Sequence, residues 1–173
     1  FAEEDISIAL EGELCDDGIA SLGDGTNQFS NLTTKLGCYW VREGVYVLRP
    51  GNKYRLKWTG IPLQYVSLAM YEWDLIRDDK CKDLHATWYK NLDGSNSYAF
   101  KMPTAAELGS CYNDATSFPE FYIKIITLDG CHTGRWPADD GVFRMLTDKT
   151  AEKSAQFNKS FEWGLKGTAG PGE

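Results

Sequence analysis

The sequence predicts an all-β sandwich, and two observations predict it. The first is the run from Val45 to Trp73, VYVLRPGNKYRLKWTGIPLQYVSLAMYEW, which reads as three strands broken at Pro50-Gly51 and at Gly60-Ile61-Pro62. In its second strand Tyr54, Leu56 and Trp58 fall on one face, and Arg55, Lys57 and Thr59 on the other. In the third, Val66, Leu68 and Met70 alternate with Ser67, Ala69 and Tyr71. A period of two on neighbouring strands suits a sheet with one face on a core and one towards water. The second observation is the spacing of the whole chain: about nine short strand signals, with turn residues every 8–12 positions. No stretch of ten or more residues carries a convincing helical period; the polar run Thr147 to Phe157 comes closest.

Taken in order, Ile6 to Leu10 is a strand, followed by turn-rich sequence through Gly23-Asp24-Gly25-Thr26-Asn27. Lys35 to Val41 is a short strand leading into the three described above. After Trp73 the charged run Arg77 to Asp83 reads as a loop. Ala86 to Leu92 reads as a strand, Asp93-Gly94 as a turn, and Ser97 to Pro103 as a strand with Tyr98, Phe100 and Met102 on one face. Thr104 to Leu108 makes one helical turn. Glu120 to Leu128 (EFYIKIITL) is apolar on both faces, which predicts a central strand. Gly130 to Asp140 reads as a long loop holding Cys131 and Trp136. Val142 to Leu146 is a strand, Ser160 to Leu165 is another, and Gly167 to Glu173 is a tail or linker. The division expected is residues 1–40 as an N-terminal extension with one or two strands that either joins the sandwich or projects from it. Residues 41–166 then form the sandwich and 167–173 the tail.

The chain has 173 residues, 42% hydrophobic and 25% charged, which is a globular composition with enough mass for one sizeable core. Its net charge of -7 argues against nucleic acid as a partner. No run of about 18 apolar residues is present to span a bilayer. Five cysteines (Cys15, Cys38, Cys81, Cys111, Cys131) are widely spaced without a CxxC pair, which is wrong for zinc or a thioredoxin-type site. Two disulfides and one odd thiol are expected, in any of fifteen connectivities that spacing alone does not choose between. The odd cysteine pairs with another chain, pairs with a cysteine outside this stretch of sequence, or stays free and buried. The sequons at Asn31-Leu32-Thr33 and Asn158-Lys159-Ser160 join the cysteines in predicting a secreted glycoprotein.

The order of strand motifs carries a resemblance. A Pro-Gly turn precedes Tyr54-Arg-Leu-Lys-Trp58-Thr59, then come Val66-Ser-Leu-Ala-Met-Tyr71, Asn91-Leu-Asp-Gly94 and Tyr98-Ala-Phe-Lys-Met-Pro103. Phe121-Tyr-Ile-Lys-Ile125 and Gly141-Val-Phe143-Arg-Met145 complete it. This order resembles the immunoglobulin-like domain of the Ser/Thr-rich, GPI-anchored fungal cell-wall proteins, a group that includes yeast proteins of β-1,6-glucan assembly. The resemblance runs from about Glu43 to Thr147; the family's Ser/Thr-rich tail is absent, and the loops here are longer and richer in cysteine. It implies an immunoglobulin/fibronectin-III-like antiparallel sandwich with long disulfide-bonded loops, in an extracellular setting.

Catalytic motifs are scarce. His85 and His132 both read as loop residues, and neither has metal-ligand spacing. The adjacent pair Cys131-His132 would point its side chains apart. No GxSxG, phosphate-binding loop or dinucleotide fingerprint is present. Among 25 acidic residues none singles itself out as a glycosidase pair, which needs carboxyls roughly 5–10 Å apart. Asp24 with Asn27, and Asp139 with Asp140, read more simply as turn residues than as calcium ligands. Neither a cofactor nor a metal is expected.

Aromatic residues give the better lead. Tyr54, Trp58, Phe100, Phe121 and Phe143 are assigned to the core, whereas Trp73 and Trp88 lie off the apolar faces and Trp136 in a loop. Exposed rings stack on sugars or anchor interfaces, provided that at least two sit side by side. The function expected is therefore a non-catalytic structural or assembly module of an extracellular surface, wall or filament. Its partners would be other extracellular subunits, reached in one version through the odd cysteine, or wall polysaccharide. The alternatives are a glucan-binding module that uses Trp73, Trp88 or Trp136, and a glycosidase whose carboxylates are unrecognised.

Overall fold

A computed structural model describes residues 3–15, 36–73, 79–111, 119–146 and 163–164. Strands dominate them: β1 (Glu3–Glu11), β2 (Trp40–Arg42), β3 (Val45–Leu48), β4 (Lys53–Thr59), β5 (Val66–Glu72), β6 (Lys80–Asp83), β7 (Ser97–Lys101), β8 (Glu120–Thr127), β9 (His132–Trp136), β10 (Phe143–Met145) and β11 (Trp163–Gly164). The helix α1 (Ala105–Leu108) is a single turn. It is closed by a reciprocal cap: the Glu107 N–H donates to the Thr104 hydroxyl, and the Thr104 N–H donates to the Glu107 carboxylate.

Two compact units share the chain, and both draw on separate stretches of it. The first comprises Phe1–Glu11, Arg55–Phe100 and Glu120–Val142; the second comprises Gly12–Tyr54, Lys101–Pro119 and Phe143–Glu173. In the first unit the strands are hydrogen-bonded in the order β6-β5-β8-β9-β1-β4-β7. The sheet is mixed. β5–β6, β5–β8, β8–β9 and β1–β4 are antiparallel, while β1–β9 is parallel. Strand β1 changes partner midway, with Glu3 and Ile6 alongside β9 and Ser7 to Glu11 alongside β4. It is thus built into the sheet rather than projecting from it.

Alternation selects what each strand buries. β4 buries Tyr54, Leu56 and Trp58 and leaves Lys57 and Thr59 exposed, as the period of two predicts. β5 buries Val66, Leu68 and Met70, together with Ala69. β8 is central, bonded to β5 along one edge and β9 along the other, and it buries Phe121, Ile123 and Ile125. The expected core aromatics Tyr54, Trp58, Phe100, Phe121 and Phe143 are all buried.

In the second unit β2 and β3 form a hairpin whose turn residues Glu43 and Gly44 have φ of 54° and 78°. Two positive φ values in a two-residue turn match the right-handed twist of the flanking strands. β11 joins β2 antiparallel, and β10 joins β3 parallel. Tyr54 is fully buried here. Its hydroxyl accepts from the Arg49 N–H at 2.9 Å and from the Asn52 amide at 3.4 Å, and burial pushes its pKa up to about 12.

The structure departs from the sequence reading at several places. The three consecutive strands of the 45–73 run are not neighbours: β3 bonds to β2 and β10, β4 to β1 and β7, and β5 to β6 and β8. Ala86 to Leu92 is not a strand, and only Tyr89 pairs, with Val66. Side chains there satisfy the backbone locally instead: Asn91 Oδ1 accepts from the Asp93 N–H, and Asp93 Oδ1 accepts from the Ser95 N–H and hydroxyl. Those bonds also hold the Asp93 carboxyl below the usual carboxylate range. Conversely, the expected loops at 77–83 and 130–140 contain β6 and β9. The sequons Asn31 and Asn158, the pair Asp24 and Asn27, the run 147–157 and the tail 167–173 lie outside the described residues.

Cys15 and Cys38 form one disulfide, with Cα atoms 4.9 Å apart. Cys81 and Cys111 are also disulfide-bonded, so two bridges are present. Cys131 is the free thiol, and it is exposed rather than buried. Its N–H donates to Asp129 Oδ1 in the turn before β9, which keeps the thiol on the rim.

Candidate functional site

The three tryptophans separate on the first unit. Trp136 is not in a loop; it lies on β9 opposite Ile123 and is 4% exposed, so it faces the interior. Trp88 is 42% exposed and precedes the Val66–Tyr89 pair. Trp73 is half-buried just past β5, where its N–H donates to the Glu120 carbonyl at 3.0 Å. That bond extends the β5–β8 register by one pair beyond Glu72, so Trp73 falls on the same side of the sheet as Tyr71. Trp88 lies outside any strand, one residue before Tyr89, whose pairing with Val66 is an isolated bridge, so the β5–β8 register does not bring the two tryptophans side by side.

What lies between them is the feature the tryptophans alone do not reveal. The β5–β8 register places Leu128 across from Tyr65, Ile126 across from Ser67, Lys124 across from Ala69 and Tyr122 across from Tyr71. Tyr65 is 48% exposed and Leu128 54% exposed. Tyr71 and Tyr122 are stacked, with ring centroids 5.3 Å apart and planes at 10°. Cations sit over these rings: Lys90 over Tyr65 at 5.5 Å, Lys124 over Tyr71 at 5.9 Å and Arg135 over Tyr122 at 3.8 Å. Arg135 is held in place by the carbonyls of Pro137 and Gly141.

The outer face of β5, β8 and β9 therefore carries cations over tyrosine rings, with Tyr65, Lys124 and Leu128 exposed and Ala69 and Tyr122 buried, in a chain of net charge -7. Lys124 and Lys90 are exposed, and no ion pair found among the described residues involves either of them. Of the acids near this face, Asp83 is paired with Lys80 at 3.1 Å, and Glu120 sits beside Trp73.

The loop above this face carries a second aromatic group. Tyr89 and Tyr98 meet edge-on at 4.6 Å, His85 lies 5.3 Å from Tyr89, and Leu92 is fully exposed. The hydroxyls of Tyr89 and Tyr98 donate to the carbonyls of Ser97 and Leu84, and burial raises both pKa values. These rings brace the loop.

The histidines do not form a nucleophilic site with the free thiol. His132 starts β9 and its Nδ1 contacts Asp5 at 2.7 Å, whereas the Cys131 thiol contacts the Asp129 carbonyl at 3.7 Å. One metal-like grouping occurs among the described residues, Glu72 with Cys81 and Cys111, and both of its sulfurs are committed to disulfides. No described helix is long and apolar enough to cross a membrane. A scan against protein-family models, a search of curated proteins and a search of solved structures each return no match.

Proposed function

We propose that this chain is a non-catalytic module of an extracellular surface, an immunoglobulin-like sandwich that docks another component of that surface through the outer face of β5, β8 and β9. Support for the sandwich comes from the first unit, where β4 buries one side, the central β8 is largely buried and consecutive strands take distant partners. The disulfides fit an oxidising compartment. The observation that carries the docking role is the set of large apolar side chains left open: Tyr65 and Leu128, which face each other across β5 and β8, and Trp88, two residues before the Lys90 that lies over the Tyr65 ring. Apolar side chains left exposed together on one face are characteristic of recognition sites. The sugar-binding reading is favoured over protein subunits by the same rings, since aromatic faces stack on pyranose rings.

Co-sedimentation with insoluble surface material from the native source tests this reading. The wild-type chain is expected to pellet with that material and to release no soluble sugar from it. The Tyr65→Ser/Trp88→Ala double variant is expected to stay in the supernatant. Equal pelleting of both forms would refute docking through this face, and steady release of sugar would refute a non-catalytic role.

A further inference from the structure

We infer that the occupant of this face is an acidic polysaccharide, one bearing carboxylate or sulfate groups, rather than a neutral glucan. The inference rests on the docking reading above and concerns the chemistry of the partner.

Charge on the strip is opposite in sign to that of the chain. Lys90, Lys124 and Arg135 lie on it, and the nearby Asp83 is neutralised by Lys80. A face meant for a neutral polymer has no use for solvent-exposed lysines that have no carboxylate partner among the described residues, and an acidic chain gains nothing in solubility from them. Their position between rings does suit an anionic chain. Each anionic group meets a cation while the C–H face of the adjoining sugar lies on a ring.

Spacing points the same way. Successive outward positions along β5 are two residues apart, about 6.6 Å at 3.3 Å per residue. Reading from Tyr65 towards Tyr71, the strip presents an exposed ring with a cation (Tyr65, Lys90), an exposed cation (Lys124, across from the buried Ala69) and a half-buried ring (Tyr71) stacked on the buried Tyr122 with Arg135 over it. An extended anionic chain lying along β5 would meet a cation near each end and one in the middle.

The test uses affinity electrophoresis of the whole chain in gels containing polygalacturonate, dextran sulfate, neutral laminarin or poly-glutamate. Retardation is expected with one or both acidic polysaccharides, weakening several-fold as salt rises from 50 to 300 mM because exposed charge pairs are screened. Laminarin is expected to leave mobility unchanged. Lys90→Glu/Lys124→Glu, two exposed positions, is expected to lower affinity at least tenfold with an unaltered unfolding transition, and Trp88→Ala to lower it independently of salt. Retardation by laminarin equal to that by polygalacturonate would overturn the inference, and so would retardation by poly-glutamate alone or full retention by the charge-reversed variant. If no polymer binds while the wild type still pellets with native surface material, the acidic-polymer assignment fails and the docking face stands. If Tyr65→Ser/Trp88→Ala pellets like the wild type, the docking face itself fails.

Discussion

Tyr54 keeps a polar atom inside a β-rich core by giving it donors. Replacing it with Phe leaves the Arg49 N–H and the Asn52 amide facing an apolar edge. The expected cost is about 1–3 kcal/mol, read from urea unfolding of Tyr54→Phe. The same phenol makes stability fall at high pH. Below its ordinary value of 10.0 both states hold the proton; between there and about 12 the unfolded chain releases it while the folded chain retains it. The unfolded state then binds fewer protons, so stability is lost as pH rises through that window, and Tyr54→Phe is expected to lose less. Among cysteines, Cys131 is expected to react alone: a thiol titration of the native, unreduced chain should find one reactive group, and denaturation without reductant should add none.

Strands were legible in the sequence where alternation is strong and illegible where other chemistry organises the backbone. β4 and β5 match their predicted limits because large apolar residues recur every second position. β6 (KCKD) hides behind its charges, as edge strands do, since lysine at an edge discourages pairing with other chains. β9 (HTGRW) hides because its second inward position is Gly134, where a Cβ would strike the Ile6 carbonyl and side chain. That close approach lets β1 lie parallel to β9, and no apolar pattern records it. Gly134→Val is therefore expected to destabilise the fold by about 1–3 kcal/mol through overpacking, measured as a lowered denaturant midpoint. Opening the Cys15–Cys38 bridge with a Ser pair removes a closure across 23 residues, and the loss expected from chain entropy is about 3 kcal/mol.

Across the whole molecule, the sequence singled out Trp73 and Trp88 but did not show the residues that the proposed docking face places between them. Trp73 and Trp88 stand off the apolar faces by parity alone, and that much is readable. Their companions are set by register: Tyr65 meets Leu128, and Tyr71 meets Tyr122, only because β5 and β8 pair in one particular alignment. Trp136 was misplaced because β9 was taken for a loop, which removed the face it belongs to. Net charge records only the sum, and an overall -7 does not show where lysine and arginine gather on one face. Because Trp88 is exposed, Trp88→Ala is expected to change stability by no more than about 0.5 kcal/mol while weakening docking, which separates the surface from the scaffold. Chemical-shift mapping by NMR, with isotope-labelled chain titrated against polymers extracted from the native surface, tests the central claim most directly. The account predicts that perturbations cluster at 65–73, 88–90, 122–128 and 135. Perturbations confined to the opposite exposed strand positions, such as Lys57 and Thr59 of β4, would contradict it.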